Sequence, residues 1–399
     1  LSQRVVITGL GMISALGGNV PENWPSLCEG KSPIGPITSV DTSETKFKNG
    51  AEVRGFEAEK HFPGGSVDQL DRFAQFAVVA AREAVADAQL RLTPELSIRT
   101  AVITGSCLGG QSTQDVGFVE VYREGKNRVH PMTIPKTMSN AGASQISMEL
   151  GIRGPVLTIS TACSSANHAI GQAFWLIRNG VVDAAITGGS EAPFSFGLLK
   201  AWEAMRVISP DTCRPFSKDR RGMILGEGAG MLVIESLEHA QARGARICGE
   251  IVGFGMSSDA SHITKPSAEG AALAIKNALR DAQVSPEQIG YINAHGTGTP
   301  VNDPMESAAI RSVFGNKVAV SSTKSMHGHA LGAAGALEAV ATVLALQNGL
   351  LPPTANFTEL DPECQIDVVA NEARAQQVEY ALSNSFAFGG LNAVLALKR

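Results

Sequence analysis

Short runs of β-branched and aliphatic residues ending in small ones recur along the chain. Val5-Val6-Ile7-Thr8-Gly9, Ala101-Val102-Ile103-Thr104-Gly105, Val156-Leu157-Thr158-Ile159-Ser160 and Ala184-Ala185-Ile186-Thr187-Gly188 each read as a buried strand entering a tight turn. Between them the apolar spacing becomes helical. Over 71–90, Phe73, Phe76, Ala77, Ala80, Ala84, Val85 and Ala88 share one face. The stretch 269–283 repeats this with Ala272, Ile275, Ala278 and Leu279, and 330–346 is a third helix whose many alanines predict close packing. Such alternation predicts an α/β fold with a mainly parallel sheet. After a strand at 230–234 and a short helix or turn at 238–246, the alternation restarts from Ile251. Further strands are expected at 289–294, 318–321, 381–385 and 393–397. This places a boundary near residue 250, dividing 1–250 from 251–399. No Pro-, Ser- or charge-rich linker marks it, so the halves are expected to pack tightly.

Composition narrows the function classes. With 399 residues and 44% hydrophobic content, the chain can bury a large core and is not disordered. Its 33 Lys plus Arg against 38 Asp plus Glu give a net charge of −5, which argues against general nucleic-acid binding. The six cysteines, at 28, 107, 163, 213, 248 and 364, form no C-x-x-C pair. Neither a disulfide framework nor a cysteine zinc site is suggested, and a reducing, cytoplasmic compartment fits. Arg4 and the apolar residues after it read as a strand and glycine turn rather than a signal peptide. The uncharged stretch 154–177 carries too many polar groups, among them Ser160, Asn167 and His168, for a membrane span.

The candidate chemistry begins where a strand runs into Thr161-Ala162-Cys163-Ser164-Ser165 and a helix starts at the cysteine. Unpaired N–H groups and the helix dipole favour thiolate there, and the same N–H groups can receive an oxyanion. Taken alone, the segment fits a buried structural cysteine equally well. Gly105-Ser106-Cys107-Leu108-Gly109 resembles a nucleophile elbow, but Gly109-Gly110-Gln111 starts a helix poorly. Cys107 therefore reads as a turn cysteine near the site.

Asn293-Ala294-His295-Gly296-Thr297-Gly298-Thr299 and Lys324-Ser325-Met326-His327-Gly328-His329 each place histidine just past a strand. Catalytic groups gather at such ends, and two histidines with a reactive cysteine suggest acyl or thioester chemistry. The spacing of His327 and His329 matches no zinc motif, so no metal is expected. Asn384-Ser385-Phe386-Ala387-Phe388-Gly389-Gly390-Leu391-Asn392 ends a strand in aromatics and a double glycine whose N–H groups face the strand ends. Two patterns fail. Gly9-x-Gly11 lacks the third glycine of a dinucleotide fingerprint, where Ser14 stands. Gly188-Gly189-Ser190-Glu191-Ala192 breaks G-x-S-x-G at its last position.

Taken in order, the Cys163, His295, Lys324–His329 and Asn384–Gly390 motifs resemble the β-ketoacyl-acyl carrier protein synthases, of the elongating KAS I/II type. Arg214-Pro215-Phe216, Gly226-Glu227-Gly228-Ala229-Gly230 and the opening Arg4 to Gly9 fit as well, so the resemblance spans the chain. It implies a thiolase-like α/β fold of two similar halves in a five-layer αβαβα arrangement, usually a homodimer. It implies decarboxylative condensation of malonyl-carrier protein with an acyl chain held on Cys163. His295 and His329 would promote decarboxylation and stabilise the enolate, and Lys324 would support the site. Phe388 would gate it and, with Cys163, supply the oxyanion-hole N–H groups. Thr297, Thr299 and, more weakly, Thr264 would bind the phosphopantetheine arm. No free cofactor is expected, because the arm belongs to acyl carrier protein, the expected partner.

Three positions depart from the family pattern. His327 stands where a small polar residue is common and is expected to alter the site entrance or its titration. Ala387 replaces a frequent glycine and would stiffen the gating loop. Lys265 replaces a small polar residue. Arg123, Lys126 and Arg128, or Arg206, are candidate docking cations for an acidic carrier. A polyketide or modified-fatty-acid ketosynthase would share every catalytic residue. A thiolase would need a second catalytic cysteine, and Cys364 lacks a glycine-flanked loop. A non-catalytic chain-length partner would lack Cys163.

Overall fold

The computed structural model describes residues 2–399. The main elements of the first half are β1 (Val5–Ser14), α1 (Arg72–Ala88), β2 (Thr100–Gly105), α2 (Ala141–Leu150), β3 (Val156–Ile159), α3 (Ser165–Arg178), β4 (Ala184–Glu191), α4 (Phe196–Met205) and β5 (Gly228–Ser236). Those of the second are β6 (Gly249–Ser258), α5 (Ala268–Ala282), β7 (Ile289–Asn293), α6 (Asn302–Phe314), β8 (Ala319–Ser321), α7 (Ala334–Asn348), β9 (Asp367–Val368), β10 (Tyr380–Ala387) and β11 (Leu391–Lys398).

The strands follow the order β9-β8-β7-β10-β11-β6-β1-β5-β4-β2-β3. In the first half, β1-β5-β4-β2-β3 pair antiparallel, antiparallel, parallel, parallel. In the second, β6-β11-β10-β7-β8 repeat those directions. A short antiparallel ladder, Val5↔Ile251 to Ile7↔Gly249, joins the halves. The sheet is therefore mixed, which corrects the expectation of a mainly parallel one. The cause is burial on both faces. β1 and β5 are buried at every position, and a strand covered on both sides loses the alternation that usually marks antiparallel pairing.

The helices supply that cover. α3 and α7 touch each other and strands of both halves, forming a central layer. α1 and α2 pack on the strands of the first half and α5 on those of the second, with α6 against α5, giving outer layers on both sides of the central pair. α7 is buried all round from Ala334 to Leu346, as a helix apolar on every side should be. The stretch Leu331–Asn348 is long and apolar enough to cross a membrane, but 89% of it is buried inside the protein. Gly9 and Gly11 serve this packing. A side chain at either would run into the backbone of α1, at the Ala84 or Ala80 carbonyl. The space a dinucleotide would need is filled by a helix.

Candidate active site

Past β3 the chain makes a sharp turn before α3. Ala162 is held at φ +50°, a conformation costing a non-glycine residue about 1–2 kcal/mol. Helix side chains reach back to hold it. Ser165 Oγ donates to the Ala162 carbonyl at 2.6 Å and accepts from the Thr161 N–H at 2.9 Å. Ser164 Oγ donates to the Thr161 carbonyl at 2.8 Å. Cys163 therefore sits two residues before the first helical residue, Ser165, rather than within the first turn. It is 7% exposed and lines a cavity of about 350 Å³.

The histidines come from the other half. His295 follows β7, where its N–H and that of Gly296 donate to the Glu306 carboxylate at 2.8 and 2.7 Å. His329 follows the short helix Lys324–His327, and its N–H donates to the Ile224 carbonyl at 2.7 Å. Its Nδ1 accepts from the Leu331 N–H at 3.2 Å, so the neutral ring carries its proton on Nε2. The two rings stand edge to face, centroids 5.3 Å apart. Cys163 Sγ and one nitrogen from each ring all lie within 4.8 Å of one another. These donors are of zinc type, but the Lys324 charge acts on all three groups and opposes a second cation.

Lys324 is fully buried and bonded through Nζ to Glu338 Oε1, itself fully buried. Burial pushes the Glu338 carboxyl up to about 7, against the pull of Lys324. Sequence reasoning missed Glu338. Its signal was a lone acid in an otherwise uncharged helix, Ala334–Asn348. Glu306 was missed too. It lies in the helix after the His295 loop, three residues beyond Asp303, whose carboxylate accepts the Gly298 N–H at 3.1 Å.

Burial, then the charge of Lys324, holds both His295 and His329 well below the usual imidazole range, so both rings are neutral. Cys163 departs from expectation. Burial pushes its thiol up to about 11, although Lys324 and the N–H groups of Phe388 and Cys163 all favour the anion. The sulfur at rest is a thiol, because desolvation outweighs the dipole and the nearby charge.

The remaining candidates divide. Phe388 stacks on Trp202 with centroids 6.3 Å apart, and both line the cavity. Thr297 and Thr299 line it as well, with their hydroxyls 3.0 Å apart. Thr264 and Lys265 are exposed lining residues, and Arg206 joins them. Ala387 ends β10 and lines the cavity.

His327 does not line the cavity, so it does not shape the entrance, but it adds to the forces that hold His329 low. It is fully buried, with Nδ1 2.8 Å from the Gly328 carbonyl and Nε2 2.9 Å from Thr323 Oγ1. Burial pushes it down to about 3, so it braces the Lys324–His329 loop as a neutral ring. Cys364 is buried in the apolar core of the second half. Arg123, Lys126 and Arg128 are exposed, but Lys126 is taken by Glu120 and Glu124 at 2.9 and 3.2 Å.

Comparison with known proteins identifies the family. The family described as "Beta-ketoacyl synthase, N-terminal domain" matches residues 2–240, and "Beta-ketoacyl synthase, C-terminal domain" matches 248–358. The chain is 48% identical to "Nodulation protein E" of Rhizobium sp. (strain N33), covering 100% of both. It is 42% identical to "3-oxoacyl-[acyl-carrier-protein] synthase 2" of Staphylococcus aureus (strain COL), covering 100% of this chain and 99% of the other. A solved structure, "The ishigamide ketosynthase/chain length factor", superposes with a TM-score of 0.96 at 40% identity, covering 100% of this chain and 99% of that one. The chain belongs to the beta-ketoacyl synthase family, as an elongating, condensing acyltransferase of thiolase-like fold.

Proposed function

We propose that the protein condenses an acyl chain carried on Cys163 with malonyl-acyl carrier protein, extending the chain by two carbons. The single observation that carries this reading is the convergence of one thiol and two neutral imidazoles within 4.8 Å. In the first step Cys163 Sγ attacks the thioester carbonyl of an acyl-carrier protein. The thiol proton ends on the departing pantetheine sulfur, so the exchange gains and loses no net proton. The carbonyl oxygen is received by the Cys163 and Phe388 N–H groups. In the second step the malonyl thioester loses carbon dioxide, and its electrons form an enolate. The Nε2–H of His329 and the ring of His295 donate to the enolate oxygen. The carbanion attacks the acyl carbonyl, the C–S bond breaks, and Cys163 leaves as the thiolate, which takes up a proton to restore the resting thiol.

Lys324, held in place by Glu338, supports the site electrostatically. Thr297 and Thr299 hold the phosphopantetheine arm, with Thr264 at the rim, and Phe388 gates the passage. Substrates arrive on that arm, so no free cofactor is required. Arg206 and Lys265 are the docking cations this reading favours for the carrier. The division near residue 250 separates the nucleophile in 1–250 from the histidines and lysine in 251–399.

A homodimer is supported by surface character. β3 is an edge strand, with Leu157 49% exposed and Phe118, Tyr122 and Ile134 also exposed. An unpaired apolar edge favours pairing with a second copy. Chemistry that needs a reduced Cys163 supports a cytoplasmic setting. A specialised pathway is the second reading, favoured by the higher identity to nodulation protein E than to the synthase, 48% against 42%.

The test is intact-mass measurement after incubation with acyl-carrier proteins of graded length. Wild type should gain one acyl group, and Cys163→Ala none. An acyl adduct on the variant would overturn the assignment.

A further inference from the structure

Two sequence motifs fit no step above, Gly105–Gly109 and Gly188–Ala192, yet they meet at one carboxylate. Glu191 ends β4 and is fully buried, with no ion pair to a cation among the described residues. Its Oε1 accepts from Ser106 Oγ at 3.0 Å and from the Leu108 N–H at 3.2 Å. Its Oε2 accepts from the Cys107 N–H at 2.8 Å and the Gly332 N–H at 3.1 Å. All four contacts are donors, the setting of an acceptor-only, ionised carboxylate. Burial still raises the Glu191 carboxyl above its ordinary value, and the donors offset that only in part.

The fourth donor matters most. Gly332 lies three residues after His329, and Leu331 between them is held at φ +46°. Leu331 in turn gives its N–H to His329 Nδ1. The joint is tight, because a side chain at Gly332 would collide with Glu191 Oε2 and the Cys107 nitrogen.

We infer that Glu191 is a positioning residue for the condensation step. By anchoring the Gly332 N–H it fixes the Leu331 turn, and so keeps the proton of His329 on Nε2, as a donor to the developing enolate. A carboxylate of the first half thereby sets the tautomer of an imidazole in the second. The inference rests on the role proposed for His329.

The test starts with the unmodified enzyme. NMR of protein labelled with ¹⁵N-histidine should show His329 as the Nε2–H tautomer, its signals assigned by their loss in His329→Asn. An Nδ1–H tautomer would overturn the inference. Glu191→Gln keeps the size but turns an amide toward N–H donors. It should lower kcat for condensation by about 100-fold, the low end for losing one aimed donor. KM for malonyl-carrier protein and acyl transfer to Cys163 should change little, and the His329 signals should shift. Equal loss of both half-reactions, or a lost rate with the tautomer unmoved, would also overturn it. If Glu191→Gln does not fold, Gly332→Ala disturbs the same joint from the other side and should give the same split. Absence of acyl transfer in wild type would instead sink the proposed function, so the two failures are distinguishable.

Discussion

At Cys163 desolvation outweighs every group that favours the anion, and its reactivity should show that. Alkylation by iodoacetamide should keep accelerating as pH rises past 9, inflecting near the pKa of about 11. A plateau below the ordinary thiol value of about 8.5 would mean the helix start wins after all. The histidines behave oppositely. Held below their usual range, they stay neutral donors through the physiological window and gain charge only in acid. His295→Ala should therefore keep acyl transfer and lose condensation by at least about 100-fold, measured by separate half-reaction assays. Residues in a local pattern were legible: Cys163, His295, Lys324 and His329 each follow a strand in a small-residue loop. Their carboxylate partners were not. Glu338, Glu306 and Glu191 act on groups 14, 10 and 141 positions away; Glu338 alone carried a local sign, as the one acid of an uncharged helix, and that sign does not name the group it meets.

At the level of elements, periodicity located the helices because each buries one continuous face. The expected 71–90 became Arg72–Ala88, and 269–283 became Ala268–Ala282. Strand direction was not legible, since a strand covered on both sides reads alike in either orientation. Nor was the strained turn at Ala162, whose φ depends on side chains reaching back from α3. That turn can be tested. Ser165→Ala removes both the acceptor for the Thr161 N–H and the donor to the Ala162 carbonyl. It should cost about 0.5–1.5 kcal/mol, the net worth of a lost hydrogen bond at half-buried backbone, read from urea unfolding.

Over the whole molecule, the proposed homodimer makes a prediction at the edge strand β3, whose Leu157 is exposed. Leu157→Lys with Tyr122→Glu should shift the protein from dimer to monomer in light scattering, with little change in the fold of each copy. An unchanged mass would mean that copies associate elsewhere or not at all.

The ladder between β1 and β6 spans only three residue pairs, yet the reacting groups come from both sides of it. A chain cut in the loop between β5 and β6 would leave each fragment with its own strands and outer helices. One fragment would own the sulfur and the other the imidazoles, and turnover would return only on reassembly. Neither half can keep this reaction alone, so selection on activity acts on the pair.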